Sequence, residues 1–579
     1  METTHLPLGR RLEKYWMHYL IVLPPLLWLL FAKLIPFVRD VRLAFVDFQV
    51  FRGLGDSPWV GLDNFRALFA DLAFRHAFSN TLTMKLGYLV LCGVIALLLA
   101  LALSAIGSRR VRGFFQTLFL LPYFIPTLIL AYVGSVILSP SQQALFPVRS
   151  LILGSAEWFP PVVMLLETIK TCGIPILLAM AAIEYRQASL ARQGLSVGTL
   201  TLIQRIGPAV RGIAAYLILQ VATLLSVDFE MLHYLASPLV YQTGDTLDTF
   251  HVRAGFMMMN TGIASASWLL QFAVQLVLAF AVYAIVRGLF VRDLFGERLK
   301  SADGEKVAQG ATLAGSSSGS SAAGTVVGIA VAAIYAIVIL SLLYVLFVRP
   351  FTAGGASSGI RLGDLVSGGN YALYAILYAI MIVFGMAMTL LLAYPLTVRD
   401  LPGRGLYKVV LIAMMGMGNL SFSQYMFARD LGMVNTFFSQ VWGGCFTIAG
   451  VFVLKSYFDS RYGALKEQLS ASGRSEAELF VTLFVPKVWK PLLALGILQF
   501  SALWGSFYAS LIYMNNPEHF SPLMRFMQLA TGGLSPDMTP GDPVVMQLAA
   551  LIALPPIVLL LVFRKLLTSE TLLSQVRKG

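Results

Sequence analysis

The chain has 579 residues, of which 58% are hydrophobic and 12% charged, with a formal net charge of +13 and a mean hydropathy of +0.77. A water-soluble protein of this length could not bury so much apolar surface, so the composition predicts an all-α polytopic membrane protein. The basic residues are not interleaved with aromatic ones as in nucleic-acid-binding segments. The positive charge therefore indicates membrane topology, and no nucleic-acid partner is expected.

About twelve stretches are long and apolar enough to cross a membrane as helices. We number them spans one to twelve; they lie near 17–37, 80–106, 114–138, 161–183, 213–236, 264–289, 324–348, 371–396, 406–428, 436–457, 491–513 and 545–566. Polar residues interrupt the fourth and the ninth. Arg10, Arg11 and Lys14 precede span one, which is too long for the core of a signal peptide and has no cleavage site behind it, so no signal peptide is expected.

Basic residues gather in loops that share one side of the membrane when the N-terminus is placed inside. By the positive-inside rule this predicts a multi-pass protein of the bacterial cytoplasmic (inner) membrane with both termini cytoplasmic. The segments concerned are 109–112, 290–306, 399–408 and 564–578. The segment 38–78 is mild evidence against this orientation, because it also contains five arginines, balanced there by five aspartates.

In the first half, a polar loop after span four is followed by acidic residues in span five. The loop Ala188-Ser-Leu-Ala-Arg-Gln-Gly194 leads through Gly207-Pro208 into Leu217-Ile-Leu-Gln220, and Asp228 and Glu230 lie near the outer end of the span. Carboxylates in or near a span usually face a water-filled path or a partner. A pairing of these carboxylates with other groups at the outer membrane surface would explain them equally well.

The midpoint is a Gly/Ser/Ala-rich run without periodicity, Gly310 to Gly324. Such sequence behaves as a flexible tether, and about 20 residues of it have a root-mean-square reach of about 25 Å. It predicts a linker at 301–323 between a first half, 1–300, and a second half, 324–579. Six crossings in each half make them parallel repeats.

The second half repeats the loop of the first. Glu467-Gln-Leu-Ser-Ala-Ser-Gly473 leads through Val485-Pro486 into Gly496-Ile-Leu-Gln499. The copies are 279 residues apart, and the same offset relates Gln220 to Gln499, Tyr234 to Tyr513 and Pro238 to Pro517. A spacing kept over some fifty residues indicates a duplicated unit. The motif predicts a short helix that ends at the glycine and a second, stubby helix, 475–484, that runs to Pro486.

No catalytic or metal site is expected. The sequence contains no Gly-Lys dipeptide and hence no phosphate-binding loop of the Walker type. Its three cysteines, Cys92, Cys172 and Cys445, lie far apart in apolar runs and have no metal-ligand spacing. If ATP drives this protein, a separate chain must bind and hydrolyse it, and no cofactor is expected here.

The repeated loop resembles the EAA loop of ABC-importer permeases, whose pattern is Glu-Ala-Ala, three residues, Gly, nine residues and Ile-x-Leu-Pro. The second copy keeps the spacing from Gly473 to Pro486 but has Gln468 and Leu469 in place of the two alanines. The first copy has Ala188 in place of Glu, and its interval from Gly194 to Pro208 is one residue too long.

Four further motifs resemble permeases of importers for complex oligosaccharides, including aldouronates. Ser57–Phe65 with Asn80-Thr-Leu82, and 238–255, are similar to the larger subunit, whereas Leu431–Thr436 and Trp504–Pro517 are similar to the smaller one, with Gly505 where that family usually has Asn. The resemblance implies a fused pair of permeases that works with two ATPase subunits (or a homodimer of one), an extracytoplasmic substrate-binding lipoprotein and an oligosaccharide. It implies ATPase coupling through Ala188, Gly194, Glu467, Gly473 and Pro486.

A sugar path would need aromatic platforms surrounded by hydrogen-bonding groups. Spans five and eleven supply such residues, and as matched helices we expect them to face each other across a pseudo-two-fold axis: Gln220, Asp228 and Glu230 from one, Gln499, Trp504 and Tyr508 from the other. Phe500, Trp504, Phe507 and Tyr508 are expected to share one helical face. Ordinary helix packing would explain this aromatic face. Either copy of the repeated loop could likewise be an ordinary connection between helices. Two other functions remain open, an ABC permease for a non-sugar solute and an ion-coupled secondary transporter.

Overall fold

The computed structural model describes residues 12–13, 15–192, 202–285, 322–352, 362–398, 400–417, 422–444, 446–532 and 541–567. Within these ranges the elements are helices, and the only β pairing is one isolated bridge between Val46 and Trp59. The all-α prediction is confirmed. The predicted linker lies almost entirely outside the described residues.

Seven helices are long and apolar enough to cross a membrane, by length and composition: Trp16–Ala44, Leu72–Ala105, Thr261–Ile285, Ala323–Phe347, Gly368–Thr397, Glu476–Trp504 and Pro543–Arg564. Two bent pairs raise the number to as many as nine in the described residues. They are Arg109–Phe124 with Thr127–Ile137, bent by 99°, and Phe159–Thr171 with Gly173–Gln187, bent by 49°. These nine coincide with predicted spans one to four, six to eight, eleven and twelve, which makes the chain a multi-pass membrane protein.

The other three predicted spans have a different form. Span five is divided into Leu202–Val221 and Phe229–Leu235, and span nine into Arg404–Gly416 and Phe422–Asp430. Span ten covers the 3-10 turn Phe437–Gln440 and overlaps only the start of Ile448–Ala471, a helix that carries five charged side chains from Lys455 to Glu467. In span five, hydropathy averaged over a window does not register the helix end, because most residues on both sides of the break are apolar.

The chain forms two compact units, and each takes elements from both predicted halves. Unit one comprises Met1–Thr81, Asp245–Ala279 and Leu365–Arg525; unit two comprises Leu82–Gly244, Phe280–Asp364 and Phe526–Gly579. The division of the sequence into halves at 301–323 stays a prediction about the chain, since neither unit corresponds to one half.

In unit one, span one crosses the second-half helices. It consists of Trp16–Leu29, the π-helical turn Leu30–Leu34 and Ile35–Ala44. Leu29 belongs to a core with Tyr394, Phe458 and Phe484, against which Phe37 packs. The remaining elements are Gly53–Asp56, Asp63–Ala70, Leu247–Val252, Arg253–Met257, Thr261–Ile285 up to Ala279, Gly368–Ala393, Pro395–Thr397, Arg404–Gly416, Phe422–Asp430, Phe437–Gln440, Ile448–Ala471, Glu476–Leu479, Phe480–Phe484, Val485–Trp504, Tyr508–Tyr513, Pro517–His519 and Pro522–Ala530 up to Arg525.

In unit two, span seven packs closely on first-half span two. A Cβ atom added to Gly328 would lie 2.5 Å from the Ala102 carbonyl oxygen, so the two helices approach where glycine allows it. Ala332 and Ile339 share a core with Cys92 and Leu99. The elements are Leu72–Ala105 from Leu82 onward, Arg109–Phe124, Thr127–Ile137, Ile152–Gly154, Phe159–Thr171, Gly173–Arg192, Leu202–Val221, Phe229–Leu235, Pro238–Val240, Tyr241–Gly244, Ala322–Phe347, Arg349–Thr352 and Pro543–Leu566.

Candidate functional site: the second loop and the broken spans

The second copy of the repeated loop turns at Gly473. The backbone N–H of Gly473 donates to the Ser470 carbonyl (3.2 Å), and that of Arg474 donates to the Leu469 carbonyl (3.4 Å). Gly473 has φ +86°, and these two bonds are those of a Schellman helix end. A Cβ added at Gly473 would meet nothing within 4 Å. The position therefore requires glycine for its backbone conformation and not for space.

The helices around this turn differ from the prediction. The helix before it is Ile448–Ala471, with 24 residues, and is not short. The predicted stubby helix, 475–484, is also not separate: Ser475 caps Glu476–Leu479, and the π-helical turn Phe480–Phe484 joins it to Val485–Trp504. Pro486 does not end this helix; it lies just after the π-helical turn Phe480–Phe484, where the helical hydrogen-bond pattern is already altered.

The outer side of this loop is exposed. Glu467, Gly473 and Pro486 are all exposed, as are the apolar side chains of Val481 and Trp489 further along the helix, at 63% and 52%. An exposed turn with both charged and apolar neighbours is suited to a groove on another protein.

The inner side of the loop is fixed by a carboxylate that the sequence analysis did not single out. Glu476 Oε2 accepts hydrogen bonds from Tyr394 Oη (2.6 Å) and His18 Nε2 (3.3 Å), and Lys466 Nζ lies 3.4 Å from it. Lys466 also donates to Thr397 Oγ1 at 2.8 Å. Burial lowers the pKa of the Lys466 ammonium, and the neighbouring Glu476 carboxylate opposes that shift. The sequence feature that could have indicated this cluster is His18, because an ionisable residue in the apolar run of a span usually has a polar partner.

The first copy of the loop is only partly described. Ala188 lies in the helix Gly173–Arg192, and nothing is described of its side chain. Gly194 lies outside the described residues. The coupling roles of both residues stay predictions.

The duplication extends to the breaks in spans five and eleven. The short helices Phe229–Leu235 and Tyr508–Tyr513 begin 279 residues apart (508 − 229), and so do the 3-10 turns that start at Pro238 and Pro517 (517 − 238). Gln220 and Gln499 precede the two breaks in the same register. A discontinuous helix at membrane depth leaves backbone groups that can bind a ligand or ion.

The break in span five is surrounded by charged side chains. Asp228 caps Phe229–Leu235 by accepting from the backbone N–H groups of Glu230 (3.1 Å) and Met231 (3.2 Å). Its Oδ2 lies 4.0 Å from Lys170 Nζ. Lys170, near the end of Phe159–Thr171, donates to Thr127, the first residue after the 99° bend of span three. The breaks of three spans therefore adjoin one set of polar groups.

A second ion pair, Lys85–Glu167, lies in unit two together with Lys170 and Asp228. Lys85 Nζ donates to Glu167 Oε1 at 3.0 Å, and both side chains are largely buried. A buried pair is a weak source of net stability, but removal of one partner leaves an uncompensated charge. Neither residue was a sequence candidate, because they are 82 positions apart.

The break in span eleven is aromatic. Val485–Trp504 ends at Trp504 and a new helix begins at Tyr508, so the predicted shared face of Phe500, Trp504, Phe507 and Tyr508 is wrong beyond Trp504. Trp504 is 3% exposed. Its ring centroid lies 5.0 Å from Tyr371, 6.2 Å from Tyr378 and 5.9 Å from Phe500. Tyr508 is also buried. Gln499 donates its side-chain amide to the Gly444 carbonyl.

The six predicted path residues are divided between the units. Gln220, Asp228 and Glu230 belong to unit two, and Gln499, Trp504 and Tyr508 belong to unit one. The hypothesis that they line one path stays a prediction.

The paired sequence motifs have a structural role. Asn80 Nδ2 donates to the Asp245 carbonyl (3.1 Å), and the Leu247 N–H donates to Thr81 Oγ1 (3.0 Å), which joins the 80–82 motif to the 238–255 motif. Likewise Asn435, at φ +62°, donates its N–H to the Tyr513 carbonyl (2.8 Å) and accepts from the Asn515 N–H (2.6 Å). In each case hydrogen bonds join residues of two different motifs, and all of the bonded residues belong to unit one.

No group of three or more His, Cys, Asp or Glu side chains suited to a metal ion occurs in the described part of the chain. No family model matches the chain.

Two curated relatives and one solved structure each match about half of the chain. The protein LplB of Bacillus subtilis (strain 168) is 26% identical over 48% of this chain and 90% of its own length. The polygalacturonan/rhamnogalacturonan transport system permease protein YteP of the same organism is 27% identical over 45% of this chain and 84% of its own length. A chain in the crystal structure of a bacterial ABC transporter involved in the import of the acidic polysaccharide alginate is 27% identical; the match covers 49% of this chain and 99% of that one, with a TM-score of 0.42.

Proposed function

We propose that this chain, a homologue of the permease subunits of carbohydrate ABC importers, provides both permeases of an ATP-driven oligosaccharide importer. Because the relatives are transport permeases, the chain is a transport subunit and not itself an enzyme. A single relative matches about half of this chain, which supports two permeases in one polypeptide. The host membrane in this proposal is the bacterial cytoplasmic membrane, with both termini inside.

The observation that carries the coupling part of the proposal is the Gly473 turn. It is exposed on its outer side, and the bonds to Glu476 hold its inner side. A rigid, exposed turn can transmit force from a motor protein to the helices on either side of it. We assign the motor to two ATPase subunits, or a homodimer of one, which bind ATP and contact Glu467, Gly473 and Pro486, and in the first copy Ala188 and Gly194.

The cargo part of the proposal rests on the two matched helix breaks. Sugars present apolar C–H faces and hydroxyl rims, so aromatic rings with nearby polar groups suit them. Trp504 and Tyr508 at one break, with Gln499, and Gln220, Asp228 and Glu230 at the other, have this chemistry. An extracytoplasmic substrate-binding protein would deliver the oligosaccharide to this path.

Two alternatives have specific support. The ion pair Lys85–Glu167 consists of largely buried ionisable groups, as an ion-coupled secondary transporter would need. An ABC permease for another solute would use the same coupling loop. Uptake that needs ATP and continues after collapse of the ion gradient would exclude an ion-coupled transporter. Uptake measured for a panel of solutes would distinguish a sugar permease from a permease for another solute.

The test of the coupling proposal is Gly473→Val. A β-branched residue at φ +86° costs about 1–3 kcal/mol of backbone strain, so the turn changes shape. We expect loss of transport and of substrate-stimulated ATP hydrolysis, with normal membrane insertion. Both would be measured on the transporter copurified with its ATPase.

The matched control is Gly403→Val. Gly403 is also exposed, has φ +75°, and has open space around its Cβ position. The same substitution there imposes a similar strain at a turn that is not part of the repeated loop, and it should leave ATP hydrolysis coupled. Substrate-stimulated ATP hydrolysis at the parental level in Gly473→Val would contradict the assignment of this loop to ATPase coupling.

A further inference from the structure

We propose that His18, on span one, is a positioning residue for the second coupling loop and acts through Glu476. The proposal rests on the proposed function, in which this loop contacts the ATPase. It goes further by assigning control of the loop to a residue in the other predicted half of the chain, 458 positions away.

The contact is buried on its His18 side and is directional. His18 is 1% exposed, and its Nε2 lies 3.3 Å from Glu476 Oε2. The bond requires the proton on Nε2, and the other nitrogen, Nδ1, has no hydrogen-bond partner among the described residues. The ring also stacks on Tyr394, with centroids 5.6 Å apart and planes 5° from parallel. Tyr394 donates to the same carboxylate oxygen.

Glu476 is placed to set the position of the turn. Only Arg474 and Ser475 separate it from Gly473, and it is the first residue of the helix that follows. Its backbone carbonyl oxygen also lies 2.9 Å from Tyr394 Oη, so the single hydroxyl proton is shared between this oxygen and the carboxylate. Movement of span one is therefore passed to the turn through two side chains.

Span one does not depend on His18 for its place in unit one. Tyr19 Oη donates to the Pro402 carbonyl (2.9 Å), Lys33 Nζ donates to the Met417 carbonyl (2.8 Å), and Arg39 pairs with Asp430 (2.5 Å). These contacts lie along the whole helix. Loss of the His18 bond should consequently free the loop without detaching the span.

The experiment compares His18→Leu with His18→Gln. Leucine fills the space but cannot donate, whereas the glutamine amide restores an N–H donor. Substrate-stimulated ATP hydrolysis and the ATP used per sugar transported are measured on the complete transporter in lipid. We expect His18→Leu to lower stimulated hydrolysis by about tenfold, as for loss of a hydrogen bond to a charged group, and His18→Gln to recover most of it.

Leu20→Ala is the control, since Leu20 lies on the same helix and is 54% exposed. It should behave as the parent. In a Glu476→Gln background, His18→Leu should add little, because both changes act on one contact. Equal activity of His18→Leu and Leu20→Ala, failure of His18→Gln to recover, or additive losses would each overturn the proposal. Failure of Gly473→Val to uncouple the transporter would instead remove the proposed function.

Discussion

Trp504 illustrates how one side chain can satisfy both a packing role and a transport role. Its indole is enclosed by Tyr371, Tyr378 and Phe500, as helix packing requires. It is also the last residue before the break in span eleven. A side chain at such a break can contact a passing ligand when the path opens.

We predict that Trp504→Ala lowers oligosaccharide uptake and leaves basal ATP hydrolysis unchanged, because the change affects the cargo and not the motor. Uptake and hydrolysis are measured in the same vesicles. Trp489→Ala is the control, since Trp489 lies on the same helix with 52% exposure. If uptake and hydrolysis fall together with expression, Trp504 only packs, at a cost of about 3–5 kcal/mol for such a truncation; if neither changes, the path lies elsewhere.

At the scale of the element, the same break occurs in two chemical forms. In span five the new helix begins with a charged cap, Asp228, near Lys170, whereas in span eleven the matching position is Phe507 and the neighbours are aromatic. The duplicated backbone has thus been kept while its side chains diverged. If both breaks line the proposed path, the two halves would contact the cargo differently, one by charge and one by stacking.

For the charged break we predict that Asp228→Asn keeps thermal stability in detergent but lowers uptake. Asparagine caps a helix about as well as aspartate, and the change removes only the charge beside Lys170. Asp228→Ala should lower both thermal stability and uptake, because loss of the helix cap costs about 1 kcal/mol of stability. Parental uptake by the asparagine variant would assign Asp228 to capping alone.

Helices could be predicted from the sequence where they coincide with long apolar runs. Apolar runs located nine of the membrane-crossing helices, and the offset of 279 residues anticipated the register of both breaks. The breaks themselves were not predicted, because they depend on a cap at Asp228 and on a helix end before Gly505 inside apolar sequence. Lys85–Glu167 and His18–Glu476 were not predicted either, since their partners meet only in the folded chain.

At the scale of the molecule, helices of both predicted halves build each unit. In unit one, Leu29 and Phe37 pack with Tyr394 and Phe484. In unit two, Ala332 and Ile339 pack with Cys92 and Leu99. The cores therefore hold residues of both predicted halves together, and we expect this packing to persist without chain continuity through the predicted linker.

We therefore predict that the transporter survives cleavage at a protease site engineered between Ser316 and Ser320. The two fragments should copurify in mild detergent and still support uptake in vesicles, because helix packing holds them. The uncleaved engineered chain is the control. Fragments that separate in mild detergent would contradict the fused-permease interpretation.

The bond between His18 and Glu476 also has a consequence for biosynthesis. Its partners are 458 residues apart, and a ribosome that adds about 5–20 residues per second needs roughly 20 to 90 s to make the interval. During that time span one has been made, but His18 cannot yet contact Glu476. We expect lipid headgroups, water or an insertion factor to solvate the imidazole until the second half is made. Premature release of the first half would leave it as a target for membrane proteolysis.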